Sequence, residues 1–361
     1  MSKNAFSSTS VESWFHWIWR KHDDLPAVTI YFLSNKNSTS ARFFSLYDRT
    51  EKFRVILIKG FRLPYMDRMS LMFLQLFSRL MENKLNNYEW VSLNNYQMLL
   101  RIKTNILLNV DDPVYSITEK ENLVSLYQKQ KEIGKKLVVV VTNSFTENYF
   151  SSFLPKTVLK VLSQGYIEQK NEHIKNKFTK FSLVYSSPYI DYVGDKHEEH
   201  ESWSAVHLID ALIPEIFKMN PEIEIHLIGR VGSNATKELS KFSNVKFHGL
   251  CSIEKSNQIM NKCHLGIYPR NHDSQRSVMK IFDYIGNDLP VVTYDLIDTR
   301  LIKEMNFGIS VSNVDEFGKA VYKLVSDQKY YALICKNIVD NKGVYSWNRL
   351  ARVYDSFVDT K

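Results

Sequence analysis

The residues best suited to chemistry lie between His264 and Thr293, in the run HLGIYPRNHDSQRSVMKIFDYIGNDLPVVT. Apolar strands open and close this run, and a short helix beginning near Ser277 is predicted between them. Val278, Ile281, Phe282 and Ile285 recur at i, i+3, i+4 and i+7, a stripe that must face a core. Arg276, Lys280, Asp283 and Asn287 share the other face at the same spacing. Arg276 and Lys280 therefore meet at the helix N-terminus, the end at which the macrodipole disfavours cations. Two cations beside free backbone N–H groups, from Ser277 onward, make a site for an anion such as a diphosphate. Asp283, one turn on, is placed to accept hydrogen bonds from a ribose. The competing reading is a solvated face whose Lys280–Asp283 pair is a weak surface ion pair.

The elements that must position these residues alternate between strand and helix, the α/β pattern with mostly parallel sheets. In the first half, apolar runs at 28–33, 54–58, 106–110 and 137–141 read as buried strands, with an amphipathic helix over 66–84 and a closing strand at 157–162. A charged stretch rich in Asn and Lys, 168–179, reads as a linker. In the second half, strands are predicted at 181–185, 223–228, 245–248, 265–268, 291–293 and 308–311. Helices are predicted at 203–219, 254–262 and 314–324. The last helix, 347–358, carries Leu350, Val353, Tyr354 and Phe357 at helical spacing. The predicted domains are 1–168, 181–342 after a linker at 169–180, and a terminal helix, 343–361, packing back towards the first domain. Glycines after strand ends, among them Gly229 and Gly249, let a backbone approach a ligand or simply permit turns.

Composition removes several function classes. The chain has 361 residues, 44% hydrophobic and 24% charged, a globular balance whose length predicts two domains. Three scattered cysteines, Cys251, Cys263 and Cys335, form neither a disulfide framework nor a zinc cluster and fit a reducing cytoplasm. No GxGxxG, P-loop, HExxH or GxSxG occurs. No apolar run is long enough to span a membrane. The N-terminal Trp14, Phe15, Trp17, Ile18 and Trp19 with Arg20 and Lys21 read as a helix packing on the domain, or else lying in a membrane interface.

The strand–loop–helix–strand containing SVMKIFDYIGNDLPVV resembles the donor segment of retaining glycosyltransferases of the GT-B fold, the group 1 or family 4 class. That class carries a Pro-Ser-Lys-Leu-x-Glu-Tyr-like run followed by Gly-x-Pro-Val-Val. The runs IEIHLIG, NVKFHGL and HLGIYP follow the family's order, and residues 34–42, ILLNVDDPVY and VLSQGY resemble its first half. The resemblance implies two Rossmann-like domains facing across a cleft, the second holding a nucleotide-diphosphate sugar. The implied donor-binding residues are Arg230, Leu250, Arg270, His272, Gln275, Arg276, Ser277, Lys280 and Asp283. Lys280 would also stabilise the leaving diphosphate, so neither cofactor nor metal is required. Asp111 and Asp112, at a strand end, would touch acceptor or donor sugar, or merely initiate a turn with Pro113. Arg42 would bind an anionic acceptor. His248, His264 and His272 have no partner at ligand spacing, so a structural role is the default, with His272 set apart by its place in the donor loop.

Two positions depart from the family pattern. Its paired glutamates correspond to Gln275 and Asp283, and its basic pair after the first donor-domain strand is replaced by Ser186, Ser187 and Pro188. Arg230 or Lys196 would have to substitute. The resulting expectation is a hexosyltransferase-type enzyme, retaining and metal-independent, that elongates a glycan or lipid-linked acceptor in polysaccharide biosynthesis. The alternative is an inactive GT-B subunit that stabilises a partner enzyme in a homo- or hetero-oligomer. The net charge of +8 sits wholly in residues 1–170, with 23 Lys+Arg against 15 Asp+Glu, leaving 24 of each beyond. Arg42, Arg49, Lys52, Arg54, Lys59, Arg62 and Arg68 cluster there and predict a cytoplasmic protein docked peripherally on an anionic membrane. Nucleic-acid binding is disfavoured, because the basic residues are dispersed and no recognition motif occurs.

Overall fold

The computed structural model describes residues 17–19, 27–33, 49–59, 85–93, 102–110, 117–168, 177–192, 205–272 and 278–358. The chain divides into two compact units, Met1–Leu162 with Ala351–Lys361, and Ser163–Leu350. Each is built around one parallel sheet.

The first sheet contains β1 (Trp17–Trp19), β2 (Ala27–Leu33), β3 (Phe53–Lys59), β4 (Trp90–Leu93), β5 (Asn105–Val110), β6 (Leu137–Val141) and β7 (Leu159–Val161). Its order is β1-β3-β2-β4-β5-β6-β7, parallel throughout except for β1, which runs antiparallel to β3. The run Leu-Val-Val-Val-Val of β6 is buried at every position, as a parallel strand covered on both faces requires. A helix that the sequence pattern does not announce, Ile117–Glu132, buries Leu123 and Leu126 against this core.

The second sheet contains β8 (Ser182–Ile190), β9 (Glu224–Val231), β10 (Val245–Phe247), β11 (Leu265–Tyr268), β12 (Val291–Tyr294) and β13 (Gly308–Val311). All are parallel, in the order β10-β9-β8-β11-β12-β13. Counted from β8, that is the 3-2-1-4-5-6 order of dinucleotide-binding folds, and the strand order reverses between β8 and β11. Crevices for ligands open at the carboxyl ends of strands flanking such a switch point. β8 runs five residues past its expected end, continuing through a register shift between Ser186 and Tyr189 that accommodates Pro188.

The C-terminal helix, Trp347–Asp355, carries the chain from the second unit back to the first. Leu350 and Tyr354 are buried as the spacing predicts, but Val353 is exposed, and Trp347 and Ala351 take the inward positions. Tyr354 ends in a buried polar network of the first unit. Its hydroxyl lies 2.6 Å from Ser92 Oγ and accepts from Asn109 Nδ2 at 2.8 Å, and Asn109 also donates to Ser92 Oγ at 3.0 Å. Asp355 accepts from the backbone N–H groups of Glu51 and Lys52 at 2.9 and 3.4 Å. The Lys52 ammonium donates to the Val358 carbonyl at 3.2 Å, so this cation of the basic cluster is committed to the chain terminus rather than to an outside anion. The described part of the N-terminal aromatic-basic segment, Trp17–Trp19, is not the expected helix but a strand, held by antiparallel pairing with β3. The rest of that segment, the expected helix over 66–84 and most of the linker lie outside the described residues.

Candidate functional site

At the switch point, β8 delivers Tyr185, Ser186 and Ser187, and β11 delivers Tyr268 and then Arg270. The helix Met279–Gly286 follows β11 and supplies Lys280, Asp283 and Tyr284. Val278, Ile281, Phe282 and Ile285 are all buried, so the predicted stripe anchors this helix on the sheet. Its opposite face is not wholly solvated. Asn287 is buried, because its Nδ2 donates to the Asp283 carbonyl at 2.8 Å and to Asn257 Oδ1 at 3.1 Å, closing the helix end. Val278 stands in extended conformation at the N-cap with no side-chain cap bond, and the first turn holds no acidic residue.

Lys280 reaches from this turn onto β8. Its ammonium donates to Ser187 Oγ at 3.4 Å and lies 5.5 Å from the centre of the Tyr185 ring. Arg270 is buried, with its guanidinium 5.9 Å from the centre of the Tyr268 ring. Burial pushes the Tyr268 phenol up in pKa while Arg270 and Lys280 both pull it down, so the two cations converge on one phenol. Tyr284 is fully buried, its hydroxyl accepts from the Ser186 N–H at 3.1 Å, and burial drives its pKa well up. Two glycines make this packing possible. A Cβ at Gly266 would stand 2.5 Å from the Tyr284 ring, and one at Gly229 would stand 1.6 Å from the Ser187 carbonyl oxygen. Gly229 also adopts φ +134°, open in practice only to glycine.

Further along the same edge, the N–H of Gly229 donates to the Gly249 carbonyl at 2.9 Å. This pairing brings the exposed Arg230 and the exposed Leu250 to the ends of β9 and β10. His272 follows Arg270, with Nδ1 3.4 Å from Asn271 Oδ1. Asp283 is half-buried on the helix. Lys280 and Arg270 are thus gathered at the switch point, while Arg230 and Leu250 stand on the outer strands of the same edge. Arg42, Asp111, Asp112, Gln275, Arg276 and Ser277 lie outside the described residues.

Several contributors escaped the sequence reading. Ser187 and Tyr185 belong to an apolar strand with nothing to mark their partners, and only Pro188 hints at the irregularity that turns Ser187 towards Lys280. His248 was expected to be solitary. It pairs instead with His226, which sits 22 residues earlier, with Nε2 of His248 2.9 Å from Nδ1 of His226. Burial, then His248 and Lys246, lower the His226 pKa to about 4; burial and Lys255 lower that of His248.

No sequence-family model matches the chain, and no curated protein matches it in sequence. Solved structures do match. Anabaena Alr3699/HepE in complex with UDP superposes with a TM-score of 0.66 over 92% of this chain and 99% of its own, at 12% identity. WaaG, described as a glycosyltransferase involved in lipopolysaccharide biosynthesis, superposes with a TM-score of 0.62 over 93% of this chain and 100% of its own, also at 12% identity. The chain has the GT-B fold. A glycosyltransferase from Rickettsia africae ESF-5 agrees, with a TM-score of 0.65 over 93% of this chain and 98% of its own at 10% identity. At these identities the likeness is one of fold, and function rests on the site.

Proposed function

We propose that this chain is a glycosyltransferase that takes a sugar from a nucleotide-diphosphate donor. The observation that carries the reading is Lys280. Its ammonium is held by Ser187 and Tyr185 at the switch point of a 3-2-1-4-5-6 sheet, beside a helix N-terminus with no side-chain cap. Positive charge and the N–H groups of a helix's first turn at that place stabilise a diphosphate, above all as it departs and gains charge. Arg270 adds a second cation at β11, and Asp283, one turn along the helix, is the carboxylate proposed to meet a ribose. The fold's solved relatives bind ligands of this class: HepE structures are described with UDP and with UDP-glucose. The acceptor is proposed to be a glycan or lipid-linked glycan, in keeping with WaaG and with WaaB, a lipopolysaccharide outer core galactosyltransferase. Asp111, Asp112 and Arg42 are proposed on the acceptor side, Gln275, Arg276 and Ser277 on the donor side. The transfer is proposed to retain configuration without a metal. We further propose a two-domain division close to residue 168 and work at the cytoplasmic face of a membrane. No helix among the described residues is long and apolar enough to cross one.

A second reading, a silent subunit that stabilises a partner, is favoured by one observation: where the resemblance expects a basic pair just beyond Tyr185, Ser187 stands instead and accepts from Lys280. Titration calorimetry with UDP, GDP and dTDP sugars, followed by an assay of donor hydrolysis, separates the two. Binding and turnover that vanish together in Lys280→Ala support the transferase. Binding with no turnover, with any acceptor or with water, supports the silent subunit. No binding of any nucleotide sugar would sink the transferase reading.

A further inference from the structure

The His226–His248 pair does more than fill space. The rings are tilted by only 11°, with centroids 5.1 Å apart and facing nitrogens at 2.9 Å. Those values together describe two rings lying edge to edge in nearly one plane, the geometry of an N–H···N hydrogen bond rather than of a stack. One of the two nitrogens must carry the proton, and the surroundings decide which. His226 is buried, with one face covered by Phe178 at 4.4 Å between centroids and 14° between planes. Its far nitrogen, Nε2, points towards Glu224 Oε2 at 3.6 Å, longer than a hydrogen bond but close enough for the carboxylate to discriminate. A bare lone pair there would be repelled, whereas an N–H is attracted, so Nε2 carries the His226 proton. In the neutral ring Nδ1 is then the acceptor. It must receive the proton of His248 Nε2, which leaves His248 Nδ1 bare. Lys246 beside His226 and Lys255 beside His248 both oppose a positive charge on the pair.

His248 directly follows β10, pinned by its N–H donating to the Leu227 carbonyl at 3.0 Å. Its ring is half-buried, and nothing among the described residues donates to Nδ1. The next residue, Gly249, has φ +67° and open space where a Cβ would stand. From Ser187 on β8, the residue Lys280 reaches, to this position is two strand spacings along the carboxyl edge, roughly 10 Å. A nucleoside diphosphate spans that interval. With its diphosphate at Lys280, its base lies against the edge strand.

We infer that Glu224, His226 and His248 form a tautomer relay, and that the bare Nδ1 of His248 accepts the imino N–H of the donor's base. Uracil and guanine present such an N–H, while adenine and cytosine present a lone pair at the corresponding ring nitrogen. The relay stands on geometry alone; the base assignment rests on the glycosyl-transfer reading above.

Two measurements test the inference. Two-bond 1H–15N correlation of protein labelled at histidine, with signals assigned through His226→Phe and His248→Gln, reports each ring's tautomer. His248 protonated at Nε2 and bare at Nδ1 is expected; a proton on Nδ1 would overturn the relay. Calorimetry then compares UDP with 3-methyl-UDP and GDP with 1-methyl-GDP, against ADP and CDP. For whichever of UDP or GDP binds, methylation is expected to cost about tenfold in the wild type, with little further loss in His248→Ala. His226→Phe, which keeps the stack on Phe178, is expected to weaken the unmethylated nucleotide several-fold by freeing the His248 tautomer. Equal binding of methylated and unmethylated nucleotide, or of CDP and UDP, would overturn base recognition while leaving the transferase reading intact. Failure of every nucleotide to bind would remove both, with the tautomer still decided by the spectrum.

Discussion

Lys280 is the residue on which the proposed site turns, because its ammonium reaches Ser187 of β8. Replacing it by alanine is expected to lower donor turnover by about 10² to 10³-fold, in the range seen when one charge-stabilising donor is removed. Ser187→Ala leaves the ammonium in place but unguided, so a smaller loss is expected; a steady-state assay with a saturating donor distinguishes the two. The close contacts around β8 make a separate prediction. Gly229→Ala would put a methyl against the Ser187 carbonyl at a φ that side chains avoid, and a loss of about 3 kcal/mol is expected in urea denaturation. An unchanged midpoint would show that β8 and β9 can part at that point. Gly232 differs. Its Cβ would meet the Asp191 carboxylate, which accepts from the Tyr192 and Ala235 N–H groups and the Tyr189 hydroxyl. That substitution acts by displacing a side chain rather than by straining the backbone.

At the level of elements, two helices do unequal work. Met279–Gly286 is short, and it is held by its buried stripe and by Asn287 rather than by propensity. The C-terminal helix is held by polar bonds as much as by apolar contact. Tyr354→Phe removes the hydroxyl shared by Ser92 and Asn109, leaving buried polar groups short of a partner. A loss of about 1–3 kcal/mol in the first unit's stability is expected, measured by chemical denaturation. A neutral result would mean that water replaces the hydroxyl. The helix ends on Asp355, whose pKa burial pushes up, against the pull of the Glu51 and Lys52 N–H groups and the Lys52 ammonium. A raised carboxyl favours the folded state in acid, so this contact contributes most below the ordinary carboxylate range and loses that contribution as pH rises through the folded pKa.

For the molecule as a whole, four of the described histidines predict a response to acid. Burial lowers the pKa of His207, His226, His248 and His264, the second and fourth to about 4. For His264 burial and then Lys177 lower the pKa, and the Ser182 N–H donates to its Nδ1 at 3.1 Å. The unfolded chain takes up protons near pH 6.5 while these folded rings do not. Stability is therefore complete above about pH 6.5 and falls as pH descends towards 4, by up to about 1.4 kcal/mol per pH unit for each fully buried ring. Urea midpoints recorded from pH 7.5 to 4.5 test this, and a flat profile would contradict it. Lys52 bears on another whole-molecule expectation, since its bond to Val358 subtracts one cation from the surface proposed to meet an anionic membrane.

The amino-acid sequence alone determined the class of fold and the helix that carries Lys280. Strand and helix periods are local properties, and the buried stripe of Val278, Ile281, Phe282 and Ile285 follows from 3.6 residues per turn. It placed strand-end glycines, but not the contacts that demand them, because Gly229 and Ser187 are brought together only by parallel pairing. Only the tertiary structure decided that Ser187 takes up Lys280, that His248 is paired with His226, and that Tyr354 closes a network with Ser92 and Asn109. Each joins residues far apart in the chain, 93, 22 and 262 positions respectively, through strand order and register. Hydrophobic periodicity encodes which face is buried; it carries no information about which strand lies alongside. The 3-2-1-4-5-6 order supplies that information, and with it the switch point where the site forms.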